Sequence, residues 1–413
     1  MTIQRTGNNL SDNLIPRLRH DLNFVEIEQN GSNYIFISDR WGYSEYELAI
    51  TPEFYSLLKF LGDNTRYDEL NEVLGLDDSE SVNSIIENLQ TLDDMYLMDS
   101  QKFRDFRERK DKEYLELKVR PYACAGISYP EDRKELLQFL DELKTKGSKT
   151  ELKKDIKGFI APHLDLSLED VTHSMYSSVF QSVADTDFDL LVILGTAHYD
   201  SSDLFMLSTQ NYSTPLGEIE TDTDFINLWQ KYCPHELDFN ELAHRPEHSI
   251  EYHVLLSQYF FQNKKFKILP ILAGSFYEYI YKGSYPELDQ RFTDYINSFK
   301  EALKYSGKKV IFAASADFAH IGRKFGDDFD AVDKLSILKE EDEKLISSIV
   351  KADKQEFFNK IINDKDKFKI CGTTPIYSLF SLEDFDEGHF IEYNQWNDIA
   401  SRSAVSIASF ILT

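Results

Sequence analysis

Several histidines of this sequence follow apolar runs, at positions where a folded sheet would carry functional polar side chains. His163 follows the apolar run GFIA, and His198 follows the apolar run LLVILG. Asp317 and His320 both follow VIFAASA, while His248 opens a separate segment of helical character. Because the ligands of open α/β sheets gather beyond the carboxyl ends of the strands, we expect these side chains to share one site. Imidazole and carboxylate groups at such a site can ligate a metal or transfer protons.

Cys371 is a further side chain with reactive potential. It follows FKI and precedes Gly372, and Pro375 can begin a helix a few residues later. The dipole at a helix N-terminus favours the thiolate form of a nearby cysteine. The alternative interpretation is a small buried residue, and we assign Cys124 and Cys233 to that class.

The segment EHSIEYH superficially matches a zinc-protease helix, but its histidines are spaced wrongly. His248 and His253 are five residues apart, so they diverge by about 140° on a helix and cannot chelate one ion from one face. We therefore expect His253 to be a packed or surface residue. The sequence also lacks the glycine-rich loops of nucleotide-binding motifs and the G-x-S-x-G turn of serine hydrolases.

The elements that would position these residues alternate between strand-like and helical patterns. Strand-like apolar runs occur in IKGFIAP, FDLLVILGT, FKILPILAG and KKVIFAASAD. Helical patterns lie between them, near 168–183, in EHSIEYHVLLSQYFFQ and over 286–305. Such alternation predicts an α/β fold with a largely parallel central sheet flanked by helices. Parallel strands are buried on both faces, which explains why these runs are continuously apolar.

Composition limits the classes of partner. The 413 residues include 42% hydrophobic side chains, which is enough for a sizeable core, and the length favours two domains. The formal net charge of −27 disfavours nucleic acid and anionic membrane surfaces as partners. Three cysteines form no disulfide framework, and no apolar run is long enough to cross a membrane. The N-terminal segment does not resemble a secretory signal, so we expect a cytoplasmic protein.

The charged segment SQKFRDFRERKDKEYLELK, over 100–118, marks the predicted domain boundary. We place a small α+β module and a charged linker, or solvated helix, at 1–117, and the α/β domain at 118–413. In the module, FVEIEQNGSNYIFISD alternates around an Asn-Gly turn and predicts a hairpin. Thr51 and Pro52 open a first helix, two more follow over 67–74 and 79–92, and MYLMD predicts a short strand.

The motifs from about residue 123 to 413 together resemble the Memo family, also called AmmeMemoRadiSam system protein B. The resemblance rests on six motifs in order, AGISYP, APHLDL, LGTAHY, EHSIEYH, SADFAH and ICGTTPI, and on the closing YNQWNDIASRSAVSIAS. The sequence departs from the family at Ser128, where an aromatic residue is usual. It also departs in APHLDL and TAHY, where aromatic-rich and His-His versions are common.

The resemblance implies a fold similar to that of class III extradiol dioxygenases, which use non-haem iron. The family's two histidines and one cysteine correspond to His163, His198 and Cys371, which are therefore the expected metal ligands. We expect iron(II), with copper or zinc as alternatives. Asp317, His320 and His248 would then orient the ligands or act as acid–base groups.

The module before the boundary resembles the small winged-helix family of the pyrroloquinoline quinone peptide chaperone. The resemblance covers RLRHDLNFVEI, the hairpin and the three helices, and it implies binding of a peptide that adds a strand to a sheet edge. A DNA-binding winged helix is the competing interpretation. The acidic helix sequence LNEVLGLDDSESVNSIIENL disfavours DNA.

These observations lead to one principal hypothesis and two alternatives. The principal hypothesis is a metal-dependent redox enzyme, acting on an unidentified small molecule, with an attached peptide-binding module. The first alternative is a non-catalytic protein that binds metal or a partner peptide. The second is a metal-free hydrolase or transferase in which Cys371 is the nucleophile and a histidine is the base.

Overall fold

The computed structural model describes residues 14–29, 31–61, 65–76 and 78–413. The chain divides into two compact units, 1–116 and 117–413. The predicted Asn-Gly turn includes Asn30, which lies outside the described residues. The architecture is mixed α/β, with a small antiparallel sheet in the first unit and a large, mostly parallel sheet in the second.

The described part of the first unit contains three antiparallel strands in the order β1-β2-β3, four α-helices and a 3-10 turn at Tyr67–Glu69. Their bounds are β1 (Asn23–Gln29), β2 (Ser32–Ser38), β3 (Leu48–Ile50), α1 (Pro52–Phe60), α2 (Leu70–Leu74), α3 (Ser79–Asp94) and α4 (Gln101–Leu115). The predicted hairpin is β1 paired with β2, and Thr51 caps α1 as predicted, accepting a hydrogen bond from the backbone N–H of Phe54. The sequence did not predict β3. The strand prediction for MYLMD is wrong, because only Met98 forms an isolated bridge there, with Leu18.

A buried arginine ties α4 to the first unit. Arg19 donates hydrogen bonds to the carboxylates of Asp21 and Asp39, and its guanidinium lies 4.1 Å from the ring centroid of Phe103 on α4. Phe103 and Tyr114 are buried, so one face of this highly charged helix has an apolar contact surface. The charged segment is therefore an integral helix of the first unit.

The second unit contains a nine-stranded sheet, a three-stranded sheet and helices on both faces of the larger sheet. The strands are β4 (Val119–Arg120), β5 (Gly158–Ala161), β6 (Leu190–Thr196), β7 (Phe205–Leu207), β8 (Asn211–Thr214), β9 (Gly217–Ile219), β10 (Asp238–Phe239), β11 (Lys267–Ala273), β12 (Val310–Ser315), β13 (His320–Gly322), β14 (Gly388–Asp398) and β15 (Ser403–Leu412). The helices are α5 (Arg133–Lys146), α6 (Glu169–Val183), α7 (Thr223–Tyr232), α8 (Glu241–His244), α9 (His248–Phe260), α10 (Tyr277–Lys282), α11 (Gln290–Ser306), α12 (Leu335–Val350), α13 (Lys354–Asp364) and α14 (Thr373–Leu382).

The large sheet has the order β10-β7-β11-β6-β12-β5-β15-β13, with β14 also paired to β15. Its four central strands, β11, β6, β12 and β5, are mutually parallel, as the sequence predicted. The long hairpin of β14 and β15 flanks them, and β15 pairs antiparallel with β5. The carboxyl ends of β5, β6 and β12 therefore lie side by side at one edge of the sheet.

Both faces of the central strands are buried. Along β6, Leu190 and Val192 contact the apolar cluster that includes residues of α7, α11 and α14, whereas Leu191 and Ile193 contact the cluster that includes α6 and α9. Each fully buried leucine contributes roughly 1.5–3 kcal/mol of hydrophobic free energy. Among the described residues, no helix has both the length and the apolar content needed to cross a lipid bilayer.

Candidate metal centre

Three neighbouring parallel strands deliver one polar residue each to the same edge of the sheet. His163 lies two residues after β5, His198 two residues after β6, and Asp317 two residues after β12. The ring centroids of His163 and His198 are 4.9 Å apart. The backbone N–H of His163 donates to Asp317 Oδ1 at 2.8 Å. The three residues therefore lie close together, because β6, β12 and β5 are neighbours in the sheet and end at the same edge.

A fourth polar residue comes from α9, which approaches β6 closely at Gly195. A Cβ at this position would lie 2.7 Å from Ser249 Oγ on α9, so only glycine allows the two backbones to come this near. The approach places the ring of His248 in a stack on His198, with centroids 4.8 Å apart and planes inclined by 19°. His163 lies edge-on to His248 at 5.3 Å.

Glu247 is fully buried and connects the start of α9 to His198. Its carboxylate accepts a hydrogen bond from Ser249 N at 3.0 Å, which caps the helix, and another from His198 N at 3.0 Å. The same carboxylate lies 2.9 Å from His198 Nδ1. Burial would raise the pKa of Glu247, but His198 and His248 lower it to about 2. Glu247 is therefore ionised and fixes the orientation of the His198 ring.

Cys371 enters from the segment that precedes α14. A Cβ on Gly372 would lie 2.5 Å from the backbone oxygen of Asp317, and Gly372 N donates to that oxygen at 2.9 Å. This contact places Cys371 Sγ 3.4 Å from His163 Nε2. Cys371 does precede a helix, as predicted. Burial nevertheless raises the pKa of its thiol well above the usual value, so the helix dipole does not produce a thiolate in the protein alone.

Asp317 and His320 lie in the short connection between β12 and β13 and at the start of β13. Asp317 Oδ2 is 3.6 Å from His163 Nε2, and burial raises the pKa of Asp317 to about 7. His320 Nδ1 lies 3.1 Å from the backbone oxygen of Phe318 and 3.2 Å from that of Lys369. Burial and the nearby His198 lower the pKa of His320 to about 4. His320 thus lies close enough to the histidines to interact electrostatically with them.

Among the described residues, potential metal ligands form two groups in which all ligand atoms lie within 4.8 Å of one another. One group is His163, His198 and His248, and the other is His163, Asp317 and Cys371. His163 belongs to both. The ligands expected from the sequence, His163, His198 and Cys371, are therefore distributed over the two groups. The sequence analysis assigned His248 and Asp317 to orienting the ligands or to acid–base chemistry. In the structure each is itself a member of a group of potential metal ligands.

The tautomers and charge states of these side chains are compatible with metal binding. His163 Nδ1 is 3.3 Å from Ser315 Oγ, and His198 Nδ1 is held by Glu247, so each ring keeps Nε2 available as a ligand. Burial lowers the pKa of His163 well below its usual value and that of His248 to about 4, so both rings are neutral at pH 7. Imidazole, thiol and carboxyl donors in one place fit iron, copper or zinc.

His253 does not belong to this site. Its side chain is fully buried, its Nε2 lies 3.2 Å from the backbone oxygen of Pro162, and its ring stacks on Phe159 at 6.0 Å. The sequence prediction of a packed residue therefore agrees with the structure. The contact with Pro162 supports the turn that carries His163.

Comparison with known proteins identifies a matching family and several relatives. A family model described as Memo-like protein matches residues 120–411. A MEMO1 family protein of Aquifex aeolicus is 27% identical over 405 residues, covering 95% of this chain and all of the relative. A MEMO1 family protein of Methanosarcina mazei is 26% identical over 267 residues, covering 64% of this chain and 86% of that protein. The match to the Aquifex protein extends over both units.

We predict that His163→Ala lowers metal affinity more than His248→Ala or Cys371→Ser does. His163 is shared by both ligand groups, whereas each of the other two belongs to one group. Competition with a chromophoric chelator measures the affinities, and elemental analysis measures occupancy. His235→Ala is the control, since His235 pairs with Asp294 outside the site. Equal affinities for the His163 and His235 variants would place the metal elsewhere.

We predict that Glu247→Gln lowers metal affinity by about 10- to 100-fold, which is typical of losing the partner that orients a ligating histidine. A glutamine has the same size, but its amide cannot accept both hydrogen bonds that His198 donates to the carboxylate. The matched control is Glu241→Gln, a carboxylate on α8 that accepts from Ser208 and Thr209. An unchanged affinity in the Glu247 variant would show that the orientation of His198 does not govern binding.

Proposed function

The chain belongs to the Memo-like protein family, and we propose that its second unit is a transition-metal-dependent redox protein acting on a small organic molecule. The observation that carries the proposal is a pair of potential ligand groups that share His163 at the carboxyl edge of a parallel sheet. In each group the ligand atoms lie within 4.8 Å of one another. We expect iron(II), with copper or zinc as alternatives. A bound metal would supply the redox step.

The protein side chains would ligate the metal and transfer protons. His163 and His198 present Nε2 because Ser315 and Glu247 occupy their Nδ1 atoms. Cys371 or His248 would complete the ligand set. Asp317 has a pKa of about 7 in the protein alone, which suits exchange of a proton at neutral pH. Its Oδ1 already accepts from His163 N, so Oδ2 is the oxygen that would carry the proton.

The metal-free alternative with Cys371 as nucleophile has weaker support. A nucleophilic cysteine must be a thiolate, and burial raises the pKa of this thiol well above the usual value. The nearest imidazole, His163, has a strongly lowered pKa, so it is a poor base for the thiol proton. A metal that binds sulfur would remove this obstacle by displacing the proton.

We predict that the full chain, purified without air or chelator, contains about one transition-metal ion per molecule and consumes oxygen in the presence of a suitable small molecule. Elemental analysis gives the metal, and an oxygen electrode with a panel of small organic compounds gives turnover. His163→Ala should lose both properties, and His235→Ala should keep both. Stoichiometric metal without turnover would identify a binding protein, and turnover without metal would identify the cysteine-based alternative.

The first unit, we propose, binds a peptide by strand addition. The strand β1 pairs only with β2 in the described sheet, so its outer edge offers free backbone N–H and C=O groups. An added strand would obtain affinity from these groups and selectivity from the side chains that alternate along β1. The net charge of the chain, −27, disfavours DNA as the alternative ligand.

We predict that peptides encoded beside the gene slow hydrogen exchange of β1 amides in the full chain, because each new inter-strand hydrogen bond protects an amide. Duplex DNA at low salt is the comparison ligand. The amides of α3, which lie outside the strand edge, serve as the internal control. Salt-sensitive binding of DNA, with no peptide that protects β1, would reverse the assignment of this unit.

A further inference from the structure

A buried chain of hydrogen bonds runs from the start of α9 to His163. Ser249 lies in the first turn of α9, Ser315 is the last residue of β12, and both are fully buried. We propose that Ser315, oriented by the backbone oxygen of Ser249, is a positioning residue that sets the tautomer of His163. The consequence for metal binding rests on the proposed function, whereas the tautomer itself rests on these hydrogen bonds.

The backbone oxygen of Ser249 is a fixed hydrogen-bond acceptor. Ser249 N donates to Glu247 Oε1 at 3.0 Å, which caps α9, and Ser249 Oγ donates to the backbone oxygen of Thr196 at 3.1 Å. Thr196 is the last residue of β6, so these two hydrogen bonds hold the first turn of the helix against the end of the strand. The oxygen of Ser249 therefore keeps its position relative to the neighbouring strand β12.

The single hydroxyl proton of Ser315 is directed to Ser249. Ser315 Oγ lies 2.5 Å from the backbone oxygen of Ser249. A carbonyl oxygen cannot donate, so two oxygens at this distance need the hydroxyl proton between them. Ser315 Oγ also lies 3.3 Å from His163 Nδ1. Because the hydroxyl has no second proton, it can only accept from His163, and Nδ1 therefore carries the hydrogen.

A proton on Nδ1 leaves the lone pair of the neutral His163 ring on Nε2. This nitrogen lies 3.4 Å from Cys371 Sγ and 3.6 Å from Asp317 Oδ2, so the lone pair is on the side of two potential ligands. The opposite tautomer would leave Nδ1 and Ser315 Oγ as two acceptors that face each other. The chain of hydrogen bonds therefore selects the tautomer that can bind a metal through Nε2.

The two histidines that follow β5 and β6 are thus oriented by different groups that meet at one residue. The carboxylate of Glu247 contacts Nδ1 of His198, and the hydroxyl of Ser315 contacts Nδ1 of His163. Glu247 accepts from the backbone N–H of Ser249, and Ser315 donates to the backbone oxygen of the same residue. The first turn of α9 therefore supports both rings, and the neutral hydroxyl does so without adding a buried charge.

Nitrogen-15 NMR of the full chain, labelled at histidine and treated with chelator, tests the tautomer without any metal. The signals of His163, assigned by their loss in His163→Ala, should show a protonated Nδ1 and an unprotonated Nε2. In Ser315→Ala we expect the Nε2–H form to become populated, because Asp317 and Cys371 remain as polar neighbours of the ring. The signals of His198 should not change, since its carboxylate partner is retained.

Titration of the same proteins with Zn²⁺ against a chromophoric chelator tests the consequence for metal binding. We expect Ser315→Ala to lower the affinity by about 10- to 100-fold, which is typical of losing the partner that orients a ligating histidine. The matched control is Ser257→Ala, because Ser257 is a fully buried serine of α9 whose hydroxyl has no hydrogen-bond partner among the described residues. This control loses the same group and should keep both the tautomer and the affinity.

Three results would overturn the inference. They are an Nε2–H tautomer of His163 in the unsubstituted chain, a tautomer that Ser315→Ala leaves unaltered, and equal losses of affinity in Ser315→Ala and Ser257→Ala. The test is separate from that of the proposed function. A tautomer that depends on Ser315 in a chain that takes up no metal would sustain the positioning role and refute the metal centre. Metal binding that is equally tight with and without the Ser315 hydroxyl would refute the positioning role and leave the metal centre standing.

Discussion

One buried carboxylate fixes the relation between the strands and the helix that form the centre. Glu247 caps α9, holds His198 through both backbone and ring, and has its own carbonyl held by Arg120, 2.9 Å away. Arg120 in turn pairs with Glu251 on α9, and both are fully buried. Breaking such a buried pair costs about 3–5 kcal/mol, because the remaining charge has no partner. The start of α9 is therefore held rigidly against the end of β6, and His248 with it.

Two glycines allow neighbouring elements to pack closely around the centre, because glycine has no side chain. Gly195 lets α9 contact β6, and Gly372 lets the turn before α14 contact the backbone at Asp317. A methyl group at either position would lie within 2.7 Å of its neighbours. The contact at Gly195 carries His248, and the contact at Gly372 carries Cys371, so the two groups of potential ligands depend on one glycine each and share His163.

The sequence predicted those parts of the fold and site that follow from local pattern. Continuous apolar runs indicated buried parallel strands, and the constant offset after them indicated His163, His198 and Asp317, since neighbouring parallel strands end at one edge. Family resemblance supplied Cys371 as a ligand. The position of His248 depends on how closely a helix packs on a strand, and the burial of Glu247 depends on Arg120, far away in sequence. The short strand β3 and the left-handed backbone conformations of Lys365, Asp366 and Lys369 have no comparable local signal.

Charge balance explains why this edge of the sheet can accept a cation although it is deeply buried. In the protein alone, burial lowers the pKa values of His163, His248 and His320, Cys371 holds its proton, and Asp317 has a pKa of about 7, so Glu247 is the clearest negative charge at the centre. A divalent ion would displace the thiol proton and favour ionised Asp317, adding two negative charges beside it. Together with Glu247 these charges would more than balance a divalent ion, so the buried ion would not remain an uncompensated charge.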